Sequence, residues 1–292
     1  MDIRELKYFL AIAKEENISK ASEYLFITQP SLTRQIQNLE KEVGQPLFER
    51  KNKKMKLTPA GVLLKTRAEE IISLYEKMCE DIILSDKIGG EINIGGGESY
   101  AVSLVADITK ITQQNYPDIK FNFFSGNTDA VCEKLDKGLI DFGILIEPAD
   151  ISKYEYIQLP VYDTWGLLMR KDHPLSQNQF ITASDLENLP IICSQHSFAK
   201  SHVTSSLEIS LDKLNIKATY NLLYNASLLV KAGVGAAVCL DKIIDTSSSS
   251  ELCFVPFKPD IKSRIFIVWK KYQLFSKASQ IFLKNLKDNL NI

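Results

Sequence analysis

Two predicted helices between Ile18 and Val43 constrain the fold of this 292-residue chain more than any other stretch. The first helix follows Ser19, a favourable N-cap residue, and the second begins at Thr28 and Pro30. Proline is tolerated in a first helical turn because the N–H groups there have no partner within the helix. The apolar residues of the second helix recur at spacings of 4, 3 and 4: Leu32, Ile36, Leu39 and Val43. This spacing predicts a helix that buries one face against its neighbour.

The opposite face of the second helix is polar and nearly free of acid. Its residues are Gln29, Ser31, Thr33, Arg34, Gln37, Asn38 and Lys41. Arginine, glutamine and asparagine are side chains that form paired hydrogen bonds with base edges in the DNA major groove. A solvated face in a small helical bundle would show the same pattern, and for an isolated segment that interpretation is favoured. The flanking sequence reverses this preference.

The charges are divided unevenly along the chain, although the formal net charge is only -1. Residues 1–67 contain 13 Lys and Arg against 8 Asp and Glu, which gives a net charge of +5. The remaining residues contain 22 and 28, which gives -6. A basic head on an acidic body favours contact with nucleic acid through the head alone.

A short basic hairpin is predicted directly after the helix pair. Gly44 is a favourable helix stop, and the segments 46–50 and 55–57 then flank a turn at 51–54. Five basic residues and no acid lie between Arg50 and Lys56. Such a run is usually a solvated surface, but beside a groove-reading helix it favours contacts with backbone phosphate. The candidate phosphate contacts are Arg50, Lys51, Lys53 and Lys54.

A long helix is predicted from Thr58 and Pro59 to Lys87, because Thr58 can cap it and no later proline interrupts it. Apolar residues recur along it at spacings of 4, 3, 4, 3 and 4: Leu64, Ala68, Ile71, Tyr75, Met78 and Ile82. This alternation is that of a coiled-coil seam. The core helix of a single domain could show it too, but a capped helix between two regions of opposite charge favours a dimerising linker.

After Gly89 and Gly90 the pattern changes to alternating strands and helices. The first predicted elements are strands Glu91–Gly95, Ile119–Phe124 and Asp141–Ile146, separated by helices Tyr100–Gln114 and Thr128–Lys137. This order predicts a parallel sheet with helices on its faces. A second set comprises strands Trp165–Met169, Ile191–Cys193, Thr219–Tyr224 and Arg264–Trp269, with helices Ala199–Leu211, Ala226–Ala232 and Ser276–Leu290. Two α/β lobes with a ligand at their junction form the simplest arrangement.

Composition and cysteine usage favour a location in the cytoplasm. No segment approaches the roughly 20 consecutive apolar residues that span a bilayer. Charged residues interrupt the first ten positions, which is unlike a signal peptide. The five cysteines are scattered and contain no C-x-x-C pair, which favours reduced thiols.

The head contains an ordered set of residues that is typical of one family. They are Ala21, Gln29–Ser31, Gln35–Ile36, Leu39–Glu40, Gly44, Leu47–Phe48, Arg50, Leu57–Thr58 and Gly61. Shorter matches at Gly138–Asp141 and Val230–Gly235 follow in the expected order. On these residues the chain resembles the LysR-type transcriptional regulators over essentially its whole length. The resemblance implies a bacterial winged helix-turn-helix, a dimerising linker helix and a two-lobed effector domain like that of the periplasmic binding proteins.

The resemblance also implies the partners of the chain. Promoter DNA would be bound by a homodimer, commonly a dimer of dimers, and a small metabolite between the lobes would shift the DNA contacts. No other cofactor is expected. The expected base-reading residues are Gln29, Pro30, Ser31, Thr33, Arg34 and Asn38, with Arg50 and Lys53 on backbone phosphate.

The implied effector pocket lies where strands end and helices begin. By position it includes Ser99 and Thr128 in the first lobe and Phe198 and Asn225 in the second. Helix N-termini with hydroxyl groups form a cradle for anions. Glu98 departs from that pattern, since its carboxylate would repel an organic acid or accept a hydrogen bond from an amine or hydroxyl. Glu98 therefore disfavours a simple carboxylate effector.

Two alternatives remain open at this point. Cys193, His196 and His202 could bind a metal or sense redox state, although their spacing is unlike that of structural zinc sites. More remotely, the chain could be a ligand-binding or enzymatic α/β protein with an associated basic head. Cys193 would be its nucleophile, but no third group orients His196 as a base, and we expect no enzymatic activity.

The expected fold is α/β overall, with three consecutive regions. They are a winged helix-turn-helix domain at 1–58, a linker helix at 59–88 and an effector domain at 89–292. Within the effector domain, the first lobe is expected at about 91–161 and 265–292, and the second at about 162–264.

Overall fold

The computed structural model describes residues 1–51, 54–83, 88–187, 189–194 and 202–292. They form two compact units, Met1–Ile83 and Leu84–Ile292, which we call the head and the body. The head is helical with one hairpin, and the body is α/β, so the predicted fold class is confirmed. In the described ranges, every helix is too short or too polar to cross a membrane.

The head consists of four helices and a two-stranded hairpin. Its elements are α1 (Ile3–Glu15), α2 (Ile18–Tyr24), α3 (Gln29–Val43), β1 (Phe48–Lys51), β2 (Lys54–Leu57) and α4 (Pro59–Ile83). The two strands pair antiparallel, as the basic hairpin requires. Apolar side chains from α1, α2, α3, the hairpin and α4 meet in one core, which includes Phe9, Ala21, Leu32, Leu39 and Leu47.

Two details of the helix pair differ from the prediction. The N-cap of α2 is Asn17, whose side chain accepts hydrogen bonds from the N–H groups of Ser19 and Lys20. The prediction of Ser19 as the cap is wrong, because Asn17 reaches these groups first and Ser19 lies inside the helix. Val43 is 38% exposed, because α3 ends at Gly44 beyond the edge of the core.

The helix α4 begins as predicted, and its apolar contacts with the core of the head lie between Ala60 and Ile72. Thr58 caps it, since the Gly61 N–H donates to the Thr58 hydroxyl at 3.0 Å. Ala68 and Ile72 are buried in the core of the head. Ala68 is 0% exposed and has no surface left for a second helix, so we remove it from the predicted seam. Leu64 is also partly buried in this core.

The body contains nine strands and six helices in its described part, apart from short 3-10 turns. The strands are β3 (Gly90–Gly96), β4 (Ile119–Ser125), β5 (Phe142–Ile146), β6 (Tyr154–Arg170), β7 (Pro190–Ser194), β8 (Asn215–Tyr220), β9 (Ala236–Leu240), β10 (Leu252–Pro256) and β11 (Lys262–Lys270). The helices are α5 (Val102–Asn115), α6 (Thr128–Asp136), α7 (Ala183–Leu186), α8 (His202–Ser206), α9 (Leu223–Lys231) and α10 (Lys277–Leu290).

The strands of the body follow the order β4-β3-β5-β11-β6-β9-β7-β8, with β10 paired to β6. The neighbours β4, β3 and β5 are parallel, as are β9, β7 and β8. However, β11 and β6 run antiparallel to their neighbours, so the sheet is mixed rather than parallel. The two parallel sets, each with its own apolar core, are the two lobes of the body.

The strand β6 belongs to both lobes. Its residues Tyr154–Thr164 pair with β11 in the first lobe, and Trp165–Arg170 pair with β9 and β10 in the second. The predicted strand Trp165–Met169 is only the end of this element. The lobes are therefore joined within a continuous strand, and groups near its middle lie at their junction.

Two predicted elements of the second lobe are displaced. The strand expected at Thr219–Tyr224 is β8, which ends at Tyr220, and α9 begins at Leu223. The helix expected at Ala199–Leu211 is helical at His202–Ser206, followed by a turn, while 195–201 lie outside the described residues.

Candidate nucleic-acid interface and ligand pocket

The exposed face of α3 contains the residues predicted to contact bases. Gln29, Pro30, Ser31, Arg34 and Asn38 are exposed, and Thr33 is half-buried. The Ser19 hydroxyl donates to Gln29 Oε1 at 3.1 Å, and Thr33 Oγ1 donates to the Gln29 carbonyl at 2.9 Å. Because the opposite face is fixed in the core, these polar groups form one presented surface. A helix of this kind fits a major groove about 12 Å wide.

Hydrogen bonds hold the hairpin against the helices. The Met55 N–H donates to the Glu16 carbonyl at 2.9 Å, and the Leu47 N–H donates to Glu40 Oε1 at 2.8 Å. Glu16 ends α1 and Glu40 lies on α3, so both ends of the hairpin are anchored. The position of the hairpin beside the exposed polar face of α3, which we call the recognition face, is thus set by Glu16 and Glu40.

The predicted phosphate contacts differ in their surroundings. Arg50 and Lys51 are exposed, and no ion pair involves either of them among the described residues. Lys54 pairs with Glu16 at 2.8 Å, and Lys56 pairs with the same carboxylate. These two ammonium groups hold the pKa of Glu16 down to about 2. Lys54 therefore already has an acidic partner, and Lys53 lies outside the described residues.

A cavity of about 340 Å³ lies between the two lobes of the body. Both lobes supply apolar wall residues, among them Ile144 and Ile146 on β5, Trp165 on β6, and Leu240 on β9. Its volume is in the range of small-molecule sites, about 300–1,000 Å³. The polar side of the wall includes Glu98, Asn127, Thr128, Asp129, Glu147 and Asp150.

Glu98 connects the lobes across this cavity. Its carboxylate accepts a hydrogen bond from the backbone N–H of Leu223, the first residue of α9. The N-cap position of α9 is Leu222, which supplies no side-chain hydrogen bond. An acid from the first lobe therefore caps a helix of the second lobe, where it also meets the positive end of the helix dipole.

The N-terminus of α6 lies on the opposite wall and is capped by its own residues. Asn127 Oδ1 accepts from the Ala130 N–H at 2.9 Å, and Asp129 lies in the first turn. Thr128, predicted to contact an effector, lines the cavity beside them. Both helix N-termini at the cavity thus already carry acceptor groups from the protein.

Ser99 and Asp163 form a buried polar pair that does not line the cavity. The Ser99 hydroxyl accepts from the Ala101 N–H at 3.0 Å and is hydrogen-bonded to Asp163. Asp163 is 2% exposed, and its Oδ2 has no hydrogen-bond partner in the described part of the chain. Burial raises the pKa of Asp163 to about 6, and the nearby Asp241 acts in the same direction. Ser99 therefore supports the junction rather than the wall.

The remaining residues predicted to bind an effector lie near the cavity or outside the described residues. Asn225 does not line it; Asn221 and Leu223, just before it, do. Phe198 lies outside the described residues. Sequence reasoning missed Trp165, Tyr220 and Asn221, of which Tyr220 ends β8 at the type of strand end used to select Ser99. A prediction that ended β8 at Tyr220 would have included this residue among the candidates.

The metal or redox alternative gains no support from the described residues. Cys193 is buried, and desolvation raises the pKa of its thiol, which disfavours the reactive thiolate. His196 and the side chain of His202 lie outside the described part. Within that part, no group of three His, Cys, Asp or Glu side chains is placed to hold a metal ion.

Family patterns cover nearly all of the chain. The LysR substrate binding domain matches residues 85–291, and the bacterial regulatory helix-turn-helix of the lysR family matches residues 3–62. The two matches correspond to the body with its cavity and to the head with its recognition face.

Named relatives are similar over almost their whole length. A probable RuBisCO transcriptional regulator of Porphyra purpurea is 30% identical over 293 residues, covering 97% of this chain and 92% of the relative. The protein of the same description from Synechocystis sp. is 28% identical over 291 residues, covering 97% and 84%. The uncharacterized HTH-type transcriptional regulator YnfL of Escherichia coli is 28% identical and covers 99% of both chains.

Solved structures share the fold. Full-length CbnR complexed with its target DNA superposes with a TM-score of 0.76 at 20% identity, covering 99% of each chain. Full-length BenM gives a TM-score of 0.53 at 25% identity, covering 100% of this chain and 97% of BenM. With the two family patterns matched in order along its length, the chain belongs to the LysR family of DNA-binding transcriptional regulators.

Proposed function

We propose that this regulator binds promoter DNA sequence-specifically through α3 and the basic hairpin, and that a small molecule in the interlobe cavity modulates this binding. The observation that carries the proposal is the cavity of about 340 Å³ with walls from both lobes. A ligand that contacts both lobes favours one arrangement of them over another, in proportion to its difference in affinity. β6 runs through the junction, so a change in the arrangement of the lobes would involve this strand.

The proposed roles are those that the sequence predicts, and the exposure of Gln29, Arg34 and Arg50 supports them. Gln29, Pro30, Ser31, Thr33, Arg34 and Asn38 read base edges, and Arg50, Lys51, Lys53 and Lys54 contact phosphate. Arg50 and Lys51 are best supported, because Lys54 is paired with Glu16. Glu98 and Thr128 contact the effector, while the buried Ser99 supports the junction behind the wall and the exposed Asn225 lies outside the cavity lining.

The proposed domain boundaries are 1–58, 59–88 and 89–292. α4 serves as the dimerising linker, so that two recognition helices reach two half-sites. We also propose that the chain acts in the cytoplasm as a dimer or dimer of dimers, without catalytic activity. The exposed apolar side chains on α4 support the dimer.

The DNA proposal is tested by comparing Arg34→Ala with Lys51→Ala. Both proteins are titrated by fluorescence anisotropy onto a duplex selected from a random library and onto a shuffled duplex. Arg34→Ala should weaken binding to the selected duplex about 10- to 100-fold and to the shuffled duplex far less, because a base contact is lost. Lys51→Ala should weaken both equally and lower the slope of log affinity against log salt by about 1.

Lys120→Ala is the matched control, because it removes the same charge from an exposed position on β4 of the body. It should leave both affinities unchanged. If Arg34→Ala weakened binding to the two duplexes by the same factor, α3 would not be the base-reading element.

A further inference from the structure

We propose that the effector of the interlobe cavity is an organic ammonium ion with an apolar body, rather than a carboxylate. The inference rests on the proposed function and adds the chemical class of the ligand. Three observations support it: the charges of the wall, the capped N-termini of the helices, and the hydrogen bonds that the Trp165 N–H and the Tyr220 hydroxyl already donate to protein acceptors.

The charged residues in the described part of the wall are acidic. Glu98, Asp129, Glu147 and Asp150 line the cavity, and no Lys, Arg or His is among the described lining residues. Glu147 is neutralised by Arg264, whose Nε donates to both carboxylate oxygens at 3.0 and 3.2 Å. Glu98 and Asp150 give the described part of the wall a negative charge. A concave site of one sign attracts ligands of the opposite sign.

The positions that would hold an anion are already taken. The N-termini of α6 and α9 both reach the cavity, and such termini are the usual anion sites in this kind of cleft. Asn127 caps α6 and Glu98 caps α9. A ligand carboxylate would have to displace these groups or lie beside them, and the charge on Glu98 would repel it.

The aromatic rings of the wall do not offer their donors to a ligand. Trp165 Nε1–H donates to Ser263 Oγ at 2.9 Å, and the Tyr220 hydroxyl donates to the Val238 carbonyl at 2.8 Å. What remains is aromatic surface beside the apolar side chains of Ile144 and Leu240. Such surface suits an apolar ligand body and also attracts a cation placed over a ring face.

An ammonium group fits Glu98 without loss of the existing contact. A carboxylate has about four lone-pair positions, so Glu98 can keep the Leu223 N–H and accept from a ligand N–H as well. The ligand would then neutralise the acid that joins the two lobes. Cation binding would therefore act at the interlobe contact itself.

The test uses the full-length chain and three probes with the same phenylethyl body. They are 2-phenylethylamine, 2-phenylethanol and 3-phenylpropanoate, which are positive, neutral and negative at neutral pH. Binding is measured by calorimetry and by the shift in melting temperature. The amine should bind most tightly and raise the melting temperature, and the carboxylate should bind at least about tenfold more weakly than the amine.

Glu98→Gln should weaken amine binding at least about tenfold, because it removes the charge and keeps an oxygen that can cap Leu223. Asp150→Asn, at an exposed position, is a second variant whose effect does not depend on the cap of α9. It should weaken amine binding about threefold. Glu155→Gln is the control, since it removes a charge from an exposed position on β6 outside the cavity wall and should change nothing.

Three results would overturn the ammonium proposal. They are equal or tighter binding of the carboxylate, an unchanged amine affinity in both Glu98→Gln and Asp150→Asn, and no amine binding at all. Anisotropy with promoter DNA is run on the same samples. If DNA is bound specifically while the amine fails, only the ligand class is wrong; if DNA binding fails too, the proposed function falls.

Discussion

At the scale of single residues, Asp163 is a buried carboxylate with an oxygen that no described residue satisfies. It lies on β6 near the point where the strand passes from one lobe to the other, 2% exposed, with Oδ2 unpartnered among the described residues. Burial raises its pKa from 3.8 to about 6. A shift of this size corresponds to about 2–3 kcal/mol of destabilisation at neutral pH, when the folded chain must carry the charge.

Asp163→Asn should therefore stabilise the protein in a pH-dependent way. The folded-state pKa exceeds the unfolded value, so stability from the protonated form is full below about pH 4 and is lost as pH rises through about 6. The neutral amide avoids that loss. We expect a melting temperature about 4 °C or more above wild type at pH 7, with no gain at pH 4.

The exposed Asp118→Asn serves as the control for charge removal and should show no such pH dependence. A melting temperature for Asp163→Asn that is lower than wild type at every pH would mean that the carboxylate is stabilising, contrary to its burial.

The sequence predicts the positions of Glu98 and Ser99 better than it predicts their contacts. The sequence predicts Glu98 at the effector site as an unusual residue for an anion cradle, and Glu98 lies on the cavity wall. Its bond to Leu223 joins positions 125 residues apart, and no local pattern contains such a contact. Ser99 has the expected position at the end of a strand, but its hydroxyl turns to the buried Asp163 instead of the cavity.

At the scale of elements, α4 carries an apolar stripe that the head does not cover. Its residues are Leu63, Ile71, Leu74, Tyr75, Met78 and Ile82, each at least 39% exposed. At 100° per residue these positions lie on one side of the helix, next to the side that Ala68 and Ile72 bury. The structure thus adds Leu63 and Leu74 to the predicted seam and removes Ala68.

Ile71→Glu together with Tyr75→Glu should dissociate the dimer. Two charges per helix would face each other in the seam, and we expect association at least about tenfold weaker by sedimentation equilibrium. Ser73→Glu, an exposed residue on the other side of α4, should leave the mass unchanged. If the double variant sediments like wild type, α4 is not the dimer contact.

Elements with a strong local period were predicted, and those that depend on distant partners were not. Helices α3 and α4 and strands β3 to β5 follow clear apolar spacings. Most of β6 was missed, because Pro160 and Gly166 interrupt it and both residues are rare inside strands. Gly166 is needed there, since a Cβ would lie 2.4 Å from the Val255 carbonyl of the paired strand β10.

At the scale of the whole molecule, the uneven distribution of charge predicts which part of the chain is the DNA-binding domain. The first 67 residues have a net charge of +5 and include the helix-turn-helix and the hairpin, whereas the rest has -6 and includes both lobes. The lobes were predicted from the alternation of strands and helices. The mixed sheet was not, because strand direction depends on which strands pair and not on their order along the chain.

The most direct measurement of the central claim is selection of DNA from a random duplex library by the full-length protein. A dimeric reader with one α3 per half-site should enrich a sequence with two-fold symmetry, whose half-sites are spaced by about one helical turn or a multiple of it. The Arg34→Ala variant should enrich a degenerate form of that sequence. If the wild-type protein enriched no common sequence, the assignment of α3 as a sequence reader would be contradicted.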